Sequence, residues 1–120
     1  MKAYVTRDSV AAGDDTDDHS RTIVLPDFDD LRGLVTAVTG AYPLACISGG
    51  KATWVLSSGI PIAVIAQEWS APLLVCGEAT GLSELDAKAG VLGLHFSYLA
   101  QIPPEQAVAV LKRLSLRAWR

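Results

Sequence analysis

The sequence predicts a single α+β domain over residues 1–120, a largely antiparallel sheet of about six strands with two helices, in the order β-β-α-β-β-β-β-α. Three observations support this. Apolar residues recur at helical spacing in two places only, around 31–38 and 107–114. The other apolar runs are short or alternate with period two, as strands do. The links between successive runs, such as 57–61, are too short for a parallel return, which takes a dozen residues or more. Runs of strands with a helix after each favour α+β over an alternating parallel fold. A chain of 120 residues, half of them apolar, has the length and composition for one self-sufficient core.

Lys2 to Arg7 forms the first β-prone segment, with Tyr4 and Thr6 on one face and a length suited to a sheet edge. The stretch from Ala11 to Ser20 has no apolar anchor and reads as an exposed loop. Thr22 to Leu25 is a second strand, which Pro26 ends by removing a ladder donor. Asp27 is positioned to cap the first helix, with Asp29 and Asp30 at the positive end of its dipole. Leu31, Leu34, Val35 and Val38 make its apolar stripe, and Gly40 is a natural stop. Ala52 to Leu56 and Ile62 to Gln67 then form a hairpin, followed by a third strand at Leu73 to Cys76. One helical turn is expected through Leu82 to Leu85, and Leu92, Leu94, Phe96 and Tyr98 alternate in a long last strand. Pro103 and Pro104 open the final helix, whose stripe is Ala107, Val110, Leu111 and Leu114. Both helices are expected on one face of the sheet.

Charge is polarised along the chain. The first thirty residues hold eight aspartates against three basic residues, a net of −5, whereas Lys112, Arg113, Arg117 and Arg120 make the last eighteen residues basic. The overall charge of −3 argues against a nucleic-acid binder, which would show a basic face. The N-terminus lacks the apolar core of a signal peptide, and no apolar run approaches the ~20 residues of a membrane span, so a cytoplasmic protein is expected. Cys46 and Cys76 both sit in apolar runs and read as core thiols, with a disulfide between them left open.

Chemical motifs are weak throughout. A calcium loop needs glycine sixth and glutamate twelfth; counted from Asp14 these are His19 and Leu25, and from Asp15 they are Ser20 and Pro26. His19, His95, Cys46 and Cys76 are scattered rather than paired at zinc-ligand spacing, and His95 reads as a hydrogen-bonded core histidine. No metal or other cofactor is expected. There is no Gly-x-Ser-x-Gly elbow, and Ser48-Gly49-Gly50-Lys51-Ala52 lacks both the glycine spacing and the hydroxyl of a phosphate loop. Trp69 follows Glu68 in a turn between strands, a pairing suited to an interface anchor, although a tryptophan folded over the core edge fits equally.

Three stretches together, Val5-Thr6-Arg7-Asp8-Ser9-Val10-Ala11-Ala12-Gly13-Asp14-Asp15, Ser48-Gly49-Gly50-Lys51-Ala52-Thr53-Trp54 and Ile60-Pro61-Ile62-Ala63-Val64-Ile65-Ala66-Gln67-Glu68-Trp69, resemble small stand-alone bacterial proteins. Proteins of that kind are often immunity partners of toxins. The resemblance implies a non-enzymatic inhibitor that occludes a cognate basic toxin domain. Asp14, Asp15, Asp17 and Asp18 would steer the partner, and Glu68 with Trp69 would anchor it. Two alternatives stay open. One is a small enzyme or ligand-binding domain holding an anionic metabolite at Arg7 and Lys51. The other is a homodimer sharing the edge strand Lys2 to Arg7.

Overall fold

The computed structural model describes residues 1–9, 19–28, 30–42, 44, 51–76 and 81–118. Strands β1 (Lys2–Arg7), β2 (Arg21–Val24), β3 (Thr53–Ser57), β4 (Pro61–Ala66), β5 (Leu73–Leu74), β6 (Ala87–Lys88) and β7 (Val91–Tyr98) form one sheet. Its order is β2-β1-β7-β3-β4-β5, with β6 paired to the start of β7. Helix α1 spans Leu31–Ala41, α2 spans Pro104–Ala118, and a single 3₁₀ turn covers Leu82–Glu84. The α+β class and the order of the main elements are those the sequence predicts.

The sheet differs from expectation in two ways. β6 is an additional short strand, joined to β7 by Ala89 and Gly90 with φ of 53° and 78°. A two-residue hairpin of this kind needs positive φ at both central positions, and Ala-Gly lacks the Asn-Gly signature that would have marked it. The second difference is larger. β1 and β7 run parallel from Lys2 opposite Val91 to Arg7 opposite Phe96, so the sheet is mixed, while the other pairings are antiparallel. β1 therefore lies inside the sheet, between β2 and β7, and cannot be the edge that the homodimer alternative would share.

The helices lie on opposite faces rather than one. Leu31, Leu34, Val35 and Val38 of α1 join a core with Ala3, Val5, Leu92, Leu94, Phe96, Trp54 and Leu56. Val55, Val64 and Val75 join a separate core with Ala107 and Val108 of α2. Neighbouring strand residues point to opposite faces, so Trp54 and Val55 separate the two layers. The cause lies in the composition of β3 and β4, which are buried on consecutive residues and so need covering on both sides. β1 and β7 alternate instead, and only one of their faces is apolar.

The helix ends also move. Asp30, not Asp27, is the N-cap: its carboxylate accepts the Gly33 N–H at 2.8 Å. Asp27 lies beside the amino terminus at 3.5 Å instead. Gly40 stays within the helix, which ends at Ala41 with Tyr42 as its cap. In α2 the buried row is Pro104, Ala107, Val108 and partly Leu111, leaving Val110 exposed. Leu114 lies outside the described side chains. Among the described residues no helix is long and apolar enough to cross a membrane.

Candidate functional site

The strand register brings four chain segments to one end of the sheet. Arg7 closes β1 beside Phe96, Tyr98 of β7 lies opposite Trp54, and Thr53 at the start of β3 lies opposite Ala66 at the end of β4. Arg21 opens β2 at this end as well, opposite Val5. Lys51 precedes β3 at the same end, and the turn carrying Glu68 and Trp69 follows β4 there. Neighbouring strands lie ~4.8 Å apart, so β1 and β4, three intervals from each other, are separated by roughly 14 Å. Asp14, Asp15, Asp17 and Asp18 lie outside the described residues, as do Cys46 and the glycine turn at 48–50.

The other expected site residues are placed as follows. The Arg7 guanidinium stacks 6.0 Å from the Trp54 ring centroid and donates to the Asp8 carbonyl at 2.9 Å. Trp54 is buried and lies against Tyr98, with ring centroids 4.8 Å apart. Lys51 is exposed, two strand intervals from Arg7 or roughly 10 Å at the backbone. Glu68 is exposed, whereas Trp69 is half-buried and packs against the second core, its backbone N–H on the Ala66 carbonyl at 3.0 Å. The far end of the acidic segment is held too: the Tyr42 hydroxyl donates to the His19 carbonyl, and Tyr42 itself stacks on Phe96.

One constellation at this end was not anticipated. Thr6 Oγ1 lies 2.6 Å from His95 Nδ1, and His95 Nε2 lies 2.8 Å from Asp8 Oδ1. The second Asp8 oxygen accepts the Tyr98 N–H at 2.9 Å, and the Asp8 N–H donates to the Phe96 carbonyl at 3.0 Å. The parallel register sets Thr6 directly opposite His95 on the same face, and the bend after Arg7 brings Asp8 around to the outer ring nitrogen. A carboxylate only accepts, so Nε2 carries the proton toward Asp8, and in the neutral ring Nδ1 is left to accept the Thr6 hydroxyl. His95 is hydrogen-bonded as expected but does not sit in the core; its side chain is 40% exposed and that of Asp8 47%. The alternation of Leu92, Leu94 and Phe96 already assigned His95 to the opposite face, which was the available signal.

Among the described residues, that face is covered by a helix on one side only. α2 lies over Val55, Val64 and Val75, on the β3–β5 side. On the β2–β1–β7 side the same face carries Thr22, Val24, Lys2, Tyr4, Thr6 and His95, with Val24 76% and Tyr4 43% exposed. Among the described residues no group of three or more His, Cys, Asp or Glu side chains is arranged to hold a metal ion. Compared with known proteins, the chain matches no family model, no curated protein and no solved structure.

Proposed function

We propose that this chain is a cytoplasmic binding protein whose role is occlusion, in its most concrete form an immunity protein that neutralises a cognate basic toxin domain. The observation that supports it is the sheet flank that, among the described residues, no helix covers. Val24 and Tyr4 stand exposed side by side on adjacent strands, and the acidic segment 10–18 connects those same two strands. Two large exposed side chains suit a contact surface, and the acidic composition of the connecting segment suits a partner of opposite charge: the first supplies binding energy and the second supplies steering. The resemblance of residues 5–15, 48–54 and 60–69 to small stand-alone bacterial proteins, a kind that often serves as immunity partners of toxins, points the same way.

The test begins with capture of the tagged protein together with the product of its adjacent gene, followed by binding kinetics on the purified pair. Changing Asp14, Asp15, Asp17 and Asp18 to asparagine is expected to slow association at low salt far more than it speeds dissociation. The difference should vanish toward 1 M salt, where the Debye length falls to ~3 Å. Tyr4→Ala and Trp69→Ala are each expected to speed dissociation at every salt concentration if the corresponding ring is desolvated in the complex. An adjacent product that does not bind, or an unchanged on-rate for the asparagine variant, would remove this reading.

A further inference from the structure

Occlusion of a partner gives no role to the chain of hydrogen bonds from Thr6 through His95 to Asp8. We propose that Thr6 is an activated nucleophilic hydroxyl that accepts acyl groups from activated esters. The arrangement supplies three parts of such chemistry: a hydroxyl, an imidazole within hydrogen-bond reach of it, and a carboxylate on the other ring nitrogen. Here the base faces the hydroxyl through Nδ1 and the carboxylate through Nε2, and roles follow from geometry rather than from which nitrogen is used. Asp8 is itself fixed by the Tyr98 N–H, so the ring is held in one tautomer and one orientation. Thr6 is partly exposed and lies on the face that α2 leaves open, beside the exposed Tyr4, so a small ester can reach it.

The step balances within these groups. Thr6 Oγ1 forms a bond to the acyl carbon as its proton passes to His95 Nδ1. The imidazolium that results is stabilised by Asp8. The bond from the acyl carbon to the leaving oxygen breaks, and the Nδ1 proton goes to that oxygen. Water then attacks the acyl-threonine with His95 again taking a proton, which returns to Thr6 as the acid departs. An aryl ester has a good leaving group and asks least of oxyanion stabilisation, so it is the substrate class to which an activated hydroxyl can respond unaided.

The probe is p-nitrophenyl acetate, with nitrophenol release followed by absorbance and acetyl sites located by mass spectrometry. Trypsin frees the peptide from Ala3 to Arg7, which contains Thr6 and Tyr4, and fragmentation distinguishes the two. Acetyl-Thr6 is expected in the wild type and in Thr6→Ser, which keeps the hydroxyl. General-base assistance typically contributes about 10²-fold or more, so His95→Gln is expected to lower Thr6 labelling by at least that factor. Asp8→Asn should lower it as well, and Thr6→Val should abolish nitrophenol release above that of exposed lysines. Thermal melts of all variants separate lost reactivity from lost folding. Labelling confined to Tyr4 and lysines, or Thr6 labelling in the wild type equal to that in a folded His95→Gln, overturns the proposal. Binding of the partner is not read in this assay, so its outcome is independent of the immunity reading.

Discussion

The placement of the helices on opposite faces can be tested by asking whether their cores share energy. Leu34 of α1 is fully buried in the first core, and Val108 of α2 is nearly so in the second. Truncating a buried leucine to alanine costs about 2–5 kcal/mol, the spread reflecting how far the cavity collapses. Val108→Ala removes two methyl groups, worth about 1.5 kcal/mol at ~0.8 kcal/mol each. The two cores have no residue in common, because the sheet stands between them. Sites without shared partners add to within about 0.5 kcal/mol. The double variant should therefore lose about 3.5–6.5 kcal/mol, the plain sum of the two. Urea titration of the four proteins, read by tryptophan fluorescence in one fixed concentration of sucrose, measures the coupling. Sucrose shifts all four alike and keeps the weakest folded. A coupling energy above about 1 kcal/mol, of either sign, would mean that the helices pack on one another and would refute the two-layer reading.

Two further outcomes follow from local geometry. Asp30→Ala should cost about 1 kcal/mol through loss of the helix cap, whereas Asp27→Ala should stay within about 0.5 kcal/mol because its ion pair is exposed; thermal melts of both variants check the ranking. Burial pushes the Cys76 thiol above its ordinary value of 9.0, opposed by a backbone hydrogen bond and reinforced by Glu84. The folded state thus holds this proton more tightly than the unfolded chain, so the associated stability is complete below pH 9 and is lost as pH rises beyond it. Iodoacetamide labelling of the Cys76 peptide at pH 8 should be slower in the folded protein than in urea, and equal rates would contradict the shift.

Much of the local structure was legible because it depends on short-range pattern. The α1 stripe of Leu31, Leu34, Val35 and Val38 is the buried row, and the hairpin of β3 with β4 follows from a link too short for any other return. What escaped depends on which strands meet. A run buried on consecutive residues, such as Thr53 to Leu56, states that both faces are covered, but not which helix covers which. Asp27 and Asp30 are equivalent as caps on composition, and it is Asp30 whose carboxylate meets the Gly33 N–H. Trp69 illustrates the same limit: its position in a turn is local, whereas the second core it packs against includes Ala107 and Val108 of a helix nearly forty residues later.

The parallel pairing of β1 with β7 is the decisive case. Sequence distance alone makes it hard to foresee, since Thr6 and His95 lie 89 residues apart and nothing in either neighbourhood names the other. Had β7 paired antiparallel with β1, the strand ends would not coincide, and a residue just beyond β1 would meet the opposite end of β7. With the pair parallel, the C-terminal ends of β1 and β7 fall together, and a chain leaving β1 needs only one bend to carry Asp8 back over His95 and the Tyr98 N–H. The same register sets Arg7, Lys51 and the turn at 67–70 along this end of the sheet. One strand pairing thus sets the Thr6 hydroxyl within reach of His95, and His95 within reach of Asp8. Thr6 lies two residues beyond Tyr4 on the same face of β1, so a partner seated on Tyr4 would cover it, and complex formation should protect Thr6 from acetylation to the extent that this flank is the contact surface.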